Sequence, residues 1–245
     1  MLRRFLILGI AIPLLVFFCF ALWVVAAHNY QWDLIANYRG NLFKGWLNTL
    51  WISVLAMVLS VAIGIFLTVG QLCGHWLPRI LCQIYVEFIR GTPLLTQIMI
   101  GYYLIASFLG WNDPFTVGLV ILSGFSAAYL SEIFRGGVES IPKSQWNSAR
   151  AIGLTTAQTY RLIVVPQAIQ RVLPASAGQF ANLIKDSSLL YVISVHEFTM
   201  QAREANANTY ATFEAFMPLI PGYLALTIPI FLWSRWLEKR YQYEH

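Results

Sequence analysis

Trp46 to Val69 reads WLNTLWISVLAMVLSVAIGIFLTV, and no charged side chain interrupts it. The hydrocarbon core of a bilayer is about 30 Å thick and takes roughly 20 apolar residues to cross as a helix, because backbone groups left unpaired in lipid are costly. This stretch is long enough by itself. The rest of the chain has the same character: 58% of its 245 residues are hydrophobic and 11% charged, against roughly 25% charged in a soluble domain. The fold class that follows is an all-α integral membrane protein.

Outward from that stretch, further apolar runs fall at Phe5–Ala27, Pro93–Leu109, Thr116–Phe134, Leu173–Val195 and Phe216–Trp236, which makes about six transmembrane helices. Arg3 and Arg4 ahead of the first run resemble the start of a signal peptide. However, its length and its bulky Phe17, Phe18 and Trp23 favour an uncleaved helix, since a signal's apolar region runs about 7–15 residues. Twelve of the 16 Lys and Arg residues fall on one side of a six-span arrangement, and only Arg39, Lys44 and Arg203 on the other. The positive-inside rule then puts both termini in the cytoplasm. That distribution accounts for the net charge of +5 as topology, not as a nucleic-acid-binding stripe. Cys19, Cys73 and Cys82 form no CxxC pattern, so neither a zinc site nor a disulfide framework is indicated.

Two connections on the outer side differ in length: Asn112–Asp113–Pro114 marks a tight turn, and Thr199–Ala215 reads as a longer polar link. On the inner side, Arg135 to Val172 is punctuated by Gly136, Gly137, Pro142, Gly153 and Pro166, which divide it into two short helices. The first has Pro142 near N1 and ends before Gly153, a residue suited to a left-handed cap. The second starts at Thr155, with Gln158 completing a capping box. Such a helix–turn–helix is either a docking element or a plain connecting loop.

Within this segment NSARAIGLTTAQTYRLIVVP (Asn147–Pro166) resembles the cytoplasmic loop of the membrane subunits of bacterial ATP-binding-cassette (ABC) importers. That loop has the pattern EAA, three residues, G, nine residues, I, one residue, LP. Ala149, Gly153, Ile163 and Pro166 stand at the required spacing, while Asn147, Ser148 and Val165 replace Glu, Ala and Leu. EFIRGTPLL (Glu87–Leu95), SEIFRGGVESIP (Ser131–Pro142) and KDSSL (Lys185–Leu189) are similar to strings of the branch that handles polar amino acids.

The resemblance covers about Trp46 to Arg240. It implies a five-helix type I permease core over 45–240, with a coupling loop at 136–172, preceded by an extra N-terminal helix and external linker in 1–44. It also implies a bacterial inner-membrane location and several partners. These are cytoplasmic ABC ATPase subunits that carry the ATP and magnesium, a second permease subunit in a homo- or heterodimer, an external solute-binding protein, and a polar amino acid as substrate. By the same resemblance, the helix at about Ser144–Ile152 enters a cleft on the ATPase. Trp146, Ala149 and Arg150, at helical spacing on one face, are candidate contacts.

Ionisable groups at membrane depth cost about 2.5–3.5 kcal/mol on insertion scales, so each asks for a partner or a wet cavity. Glu87 with Arg90, and Glu132 with Arg135, are spaced i to i+3 and read as self-satisfying end anchors. Lys185 and Asp186 are adjacent, about 100° apart on a helix, and pair poorly with each other. With Ser187 and Ser188 they either meet the carboxylate and ammonium of an amino acid or line a subunit interface or gate. Gly91–Thr92–Pro93 marks a broken helix, which either adjoins a translocation site or is an ordinary bundle kink. The pair Tyr102–Tyr103, Trp111 and Trp236 fit interfacial anchoring.

No GxxxxGK followed by Ser or Thr is present, so the chain supplies no ATP chemistry and needs no cofactor of its own. His28, His75, His196 and His245 show no HExxH spacing, which leaves an enzyme reading without support. The alternative is a secondary transporter driven by an ion gradient, with Asp186 or Glu87 as the coupling group.

Overall fold

The computed structural model describes residues 30–242, all of whose regular elements are helical. The apolar run Phe5–Ala27 lies outside the described residues. After a short helix α1 (Trp32–Ala36), α2 runs from Arg39 to Leu72 and contains the whole of Trp46–Val69. Helix α3 (Trp76–Gly91) and α4 (Leu94–Ile100, continued as a π turn over Gly101–Ala106) form one broken segment. Asp113 then caps α5 (Pro114–Glu139): its carboxylate accepts from Thr116 N at 3.0 Å, which holds its pKa below the usual value, and Pro114 fills N1. Next come α6 (Lys143–Ala151), α7 (Val165–Asp186), α8 (Phe198–Thr209) and α9 (Leu219–Gln242). Arg39–Leu72, Pro114–Glu139 and Thr212–Arg240 are each long and apolar enough to cross a membrane.

Side-chain bonds between helices fix their directions. Ser60 Oγ donates to Ala56 O of its own helix at 2.6 Å and reaches Ser123 O of α5 at 3.1 Å. Thr68 Oγ1 repeats this with Gly64 O and Ser131 O at 2.8 and 3.1 Å. Both cross-links join residues 63 apart, so α2 and α5 are parallel. The broken segment between them must therefore carry the chain back. Gly64 permits the close approach: a Cβ there would lie 3.2 Å from Leu130 Cβ. Helix α7 runs the other way, since Arg171 Nη1 donates to Ser140 O at 2.7 Å while Leu190, just beyond its end, meets Gly118 near the start of α5. Ser234 Oγ bonds Pro174 O and Trp46 Nε1 bonds Gly222 O, both at 2.9 Å, which sets α9 parallel to α2. The described residues thus pass back and forth five times, as the resemblance implied for the permease core.

Four expectations change. The third apolar run, Pro93–Leu109, is only the second half of its pass; the first half, α3, carries Arg79, Glu87 and Arg90, and those charges mask it. The fifth does not start at Leu173. Helix α7 begins at Val165, and beyond Asp186 the chain tightens into a 3₁₀ helix over Ser187–Ile193. The second short helix of the inner segment is not separate: Thr156–Thr159 runs through a π turn, Tyr160–Val164, straight into α7. That wider turn sits immediately before Pro166, where the hydrogen-bond ladder must skip a donor. Finally, the polar link Thr199–Ala215 is largely helical, formed by α8 and a short helix Thr212–Phe216.

The link is anchored by a carboxylate that hydropathy could not single out. Glu197, fully buried at the N-cap of α8, accepts from Thr199 N (2.8 Å), Met200 N (2.7 Å) and Tyr223 Oη (2.9 Å). Thr49 Oγ1 of α2 accepts from Phe198 N at 3.0 Å beside it. Burial outweighs these donors and pushes the Glu197 pKa from 4.5 up to about 7. A raised folded-state pKa means that the native state holds its proton more tightly than the unfolded chain. The associated stability is fully present below pH 4.5 and is lost as pH rises through about 7. Thermal-unfolding midpoints of the purified protein are therefore expected to fall between those values. Glu197→Gln should flatten that part of the profile, and an unchanged slope in the variant would assign it elsewhere.

Candidate functional site

Helix α6 and the turn after it occupy the end of the bundle where α2 and α5 finish. Pro142, with ψ of 140°, is the N-cap of α6, one position earlier than the N1 place read from sequence. At the other end Gly153 has φ of +80°, Gly153 N donates to Arg150 O and Leu154 N to Ala149 O, both at 3.0 Å. This double closure is a Schellman motif, and it needs a residue that enters left-handed backbone without a Cβ penalty. Two residues on, Thr155 and Gln158 form the expected capping box: Thr155 N donates to Gln158 Oε1 at 2.8 Å and Gln158 N to Thr155 Oγ1 at 3.3 Å. Both ends of the turn are thereby fixed.

The segment is tied to two long helices. Arg171 of α7 donates to both Ser140 O (2.7 Å) and Ser140 Oγ (3.0 Å) at the end of α5, and Ile141 is buried beside this clamp. The Trp146 ring meets the Tyr160 ring edge-on at 5.1 Å, joining α6 to the approach to α7. Of the three proposed contact residues, Ala149 has no exposed surface and Trp146 is half-buried, so both face the chain itself; Arg150 is exposed. Asn147, Ser148, Gly153 and Pro166 are also exposed, and Ile163 is half-buried. The sequence reading did not single out Ile152. Its side chain is 75% exposed at the tip of the turn.

The charged residues fall into two groups. Glu132 bonds Arg135 through both carboxylate oxygens at 2.9 and 3.1 Å, as the i to i+3 spacing suggested. Arg90, in contrast, does not pair with Glu87: its Nη1 lies 3.1 Å from Glu132 Oε2, because the side of α3 that carries Arg90 faces α5, while Glu87 is exposed. Thr92 and Pro93 lie in the break, where Gln97 Nε2 bonds Thr92 Oγ1 at 2.8 Å. Lys185 and Asp186 end α7. Lys185 Nζ sits 5.9 Å from the centre of the Phe231 ring, Asp186 and Ser188 are half-buried, and buried Ser187 donates to Ile184 O at 2.7 Å. Among the described residues no hydrogen bond or ion pair joins Lys185 or Asp186 to Glu87 or Thr92.

Comparison with known proteins agrees with this architecture. Residues 60–243 match the family described as binding-protein-dependent transport system inner membrane component. The glutamine transport system permease protein GlnP of Escherichia coli (strain K12) is 34% identical over 216 residues, covering 86% of this chain and 98% of its own. The histidine/lysine/arginine/ornithine transport system permease protein HisM of the same organism is 30% identical over 224 residues, covering 87% and 94%. The crystal structure of an amino acid ABC transporter with histidines superposes with a TM-score of 0.81 at 29% identity, over 87% of this chain and all of that one. With its five-pass helical core and its closed turn at Gly153, this chain belongs to the family of binding-protein-dependent transport system inner membrane components.

Proposed function

We propose that this chain is the membrane-spanning permease subunit of an ATP-driven importer of polar amino acids, working by alternating access. The observation that carries the proposal is the construction of the α6 turn. It is closed by a Schellman motif and a capping box, presents Ile152 and Arg150 outward, and is clamped to α5 by Arg171 and to the approach to α7 by Trp146. A push on such a turn moves two membrane helices together, which is what a lever between an ATPase and a transport pathway must do. The substrate class rests on relatives whose names specify glutamine and the basic amino acids. ATP and magnesium belong to partner ATPase subunits, and a second permease and an external solute-binding protein complete the assembly. The cation-rich end, with the α6 turn and both termini, faces the cytoplasm. Lys185, Asp186, Ser187 and Ser188, together with Glu87, Thr92 and Pro93, are candidates for the pathway or its gate.

The test is reconstitution of the chain in liposomes with its cognate ATPase and binding protein, measuring ATP hydrolysis and uptake over a panel of polar amino acids. Hydrolysis stimulated by one loaded binding protein, with ATP-dependent uptake of the same amino acid, is the expected result. Uptake that follows an ion gradient without ATP would replace this reading with the secondary transporter. Lys185→Met and Asp186→Asn separate the two roles open to that pair: lowered substrate affinity marks the pathway, and lowered ATPase coupling at unchanged affinity marks an interface or gate.

A further inference from the structure

Helix α3 stops at Gly91 and α4 starts at Leu94. Across this gap Pro93 has no N–H to offer the carbonyl of Ile89, four residues back. In place of that donor stands the carboxamide of Gln97: Nε2 lies 2.8 Å from Ile89 O, 3.2 Å from Thr92 O and 2.8 Å from Thr92 Oγ1. The Thr92 hydroxyl gives its one proton to Phe88 O at 2.9 Å and so accepts from Gln97. All three partners being acceptors, the amide nitrogen must point into the break. A side chain one turn along α4 thus does what the backbone of Pro93 cannot.

The consequence is mechanical. In an unbroken helix each residue is held by the backbone ladder, whereas here the two halves of one pass are joined through a single rotatable side chain. A cavity of about 350 Å³ lies between the break and α5, lined by Thr92, Thr96, Gln97, Gly101, Gly124 and Phe125. It gives the segment room to move. On the same side α3 is held to α5 by Arg90–Glu132 and by Tyr85 Oη, which donates to Gly124 O at 3.1 Å. The tethers therefore lie on α3, before the break, and Gln97 lies beyond it. We infer that residues 91–93 are a hinge and that Gln97 is its positioning residue, setting the angle between α3 and α4 as access changes sides. This rests on the transport function proposed above.

The experiment uses the assembled transporter in liposomes, in a cysteine-free background that retains uptake, with spin labels at Ile84→Cys and Met99→Cys. These positions are exposed on either side of the break. In the unaltered hinge the distance between labels should shift between nucleotide-free and ATP-trapped states. Gln97→Met, which keeps the bulk but has no donor, should broaden the distribution and lower uptake per ATP by up to about tenfold, the lower end of the scale for an unpaired acceptor, since these acceptors are half-buried. Adding Pro93→Ala restores a backbone donor at 93. It should narrow the distribution again without restoring uptake, because the hinge has become continuous helix. A merely structural role for Gln97 predicts recovery of both.

The inference is overturned if the distance does not shift between states, if Gln97→Met leaves the distribution unchanged, or if the double variant transports like the unaltered chain. Should Gln97→Met fail to assemble, Gln97→Asn, whose arm is one methylene too short, is read by the same outcomes. Absence of any ATP-dependent uptake by the unaltered transporter counts against the transport function. The hinge is then decided by the distance distributions alone.

Discussion

A Gly153→Val variant is expected to lose most ATP-dependent uptake while its membrane core unfolds at the temperature of the unaltered protein. No atom beyond its own chain neighbours lies within 4 Å of the position a Cβ would take, so a clash with the rest of the fold is not the cause. The cause is backbone conformation. An L-residue held at φ of +80° costs about 1–2 kcal/mol, and a β-branched one more. Every 1.4 kcal/mol is a factor of ten in the population of the closed turn, so the bonds from Gly153 N and Leu154 N open and Ile152 leaves its fixed place. Uptake and ATPase stimulation should both fall about tenfold or more by the same relation. Gly153→Asn, which tolerates left-handed backbone, should retain most of both. Normal uptake by the valine variant would show that the turn is not the coupling element.

How much could be read from the sequence depended on whether the signal was local. Trp46–Val69 was legible because nothing interrupts it, and the Gly153 turn and Thr155 cap because each is specified within six residues. Helix α3 was not. It is amphipathic: Arg79 and Arg90 share the face that meets the bundle through Val86, while Ile80, Ile84 and Phe88 are exposed on the other, and a hydropathy reading averages the two. Likewise, spacing placed Trp146, Ala149 and Arg150 on one face, but whether that face turned inward or outward depended on Tyr160, which tertiary packing brings to Trp146.

Partner choice among charges was the least legible. Glu87 stands three residues from Arg90 and Glu132 is 42 residues away, yet the bond goes to Glu132, because α3 packs on α5 with Arg90 at the edge of the side that meets α5. Glu197 escaped notice for a related reason. It sits in a polar-looking link whose burial comes from Thr49 of α2 and Tyr223 of α9. Gln97 left a faint trace: a proline with a carboxamide four residues later is what a side-chain donor for the freed carbonyl requires.

The long-range bond at Glu132 gives the second large expected effect. Its carboxylate accepts from Arg90 (3.1 Å), from Arg135 twice (2.9 and 3.1 Å) and, at the edge of hydrogen-bonding distance, from Gln71 (3.4 Å), so it joins α2, α3 and α5. In Glu132→Gln the size is kept and the charge removed. Arg135 retains Glu139 at 2.7 Å, but Arg90 loses its charged partner and keeps the Tyr129 ring, 5.5 Å away, and at most one bond to a neutral amide oxygen. Breaking a fully buried pair costs about 3–5 kcal/mol and an exposed one about 0–1. Side-chain exposures of 24% for Glu132 and 42% for Arg90 place this pair between those limits. A loss of about 2 kcal/mol is expected, which lowers the unfolding midpoint of a chain this size by about 4–8 °C. The cost comes mainly from the stranded cation, so Arg90→Met in the Glu132→Gln background should recover about half of it, where two independent losses would add. A midpoint within about a degree of the unaltered protein for Glu132→Gln would mean that solvent screens the cluster fully. The three helices would then be held by their apolar and hydroxyl contacts alone.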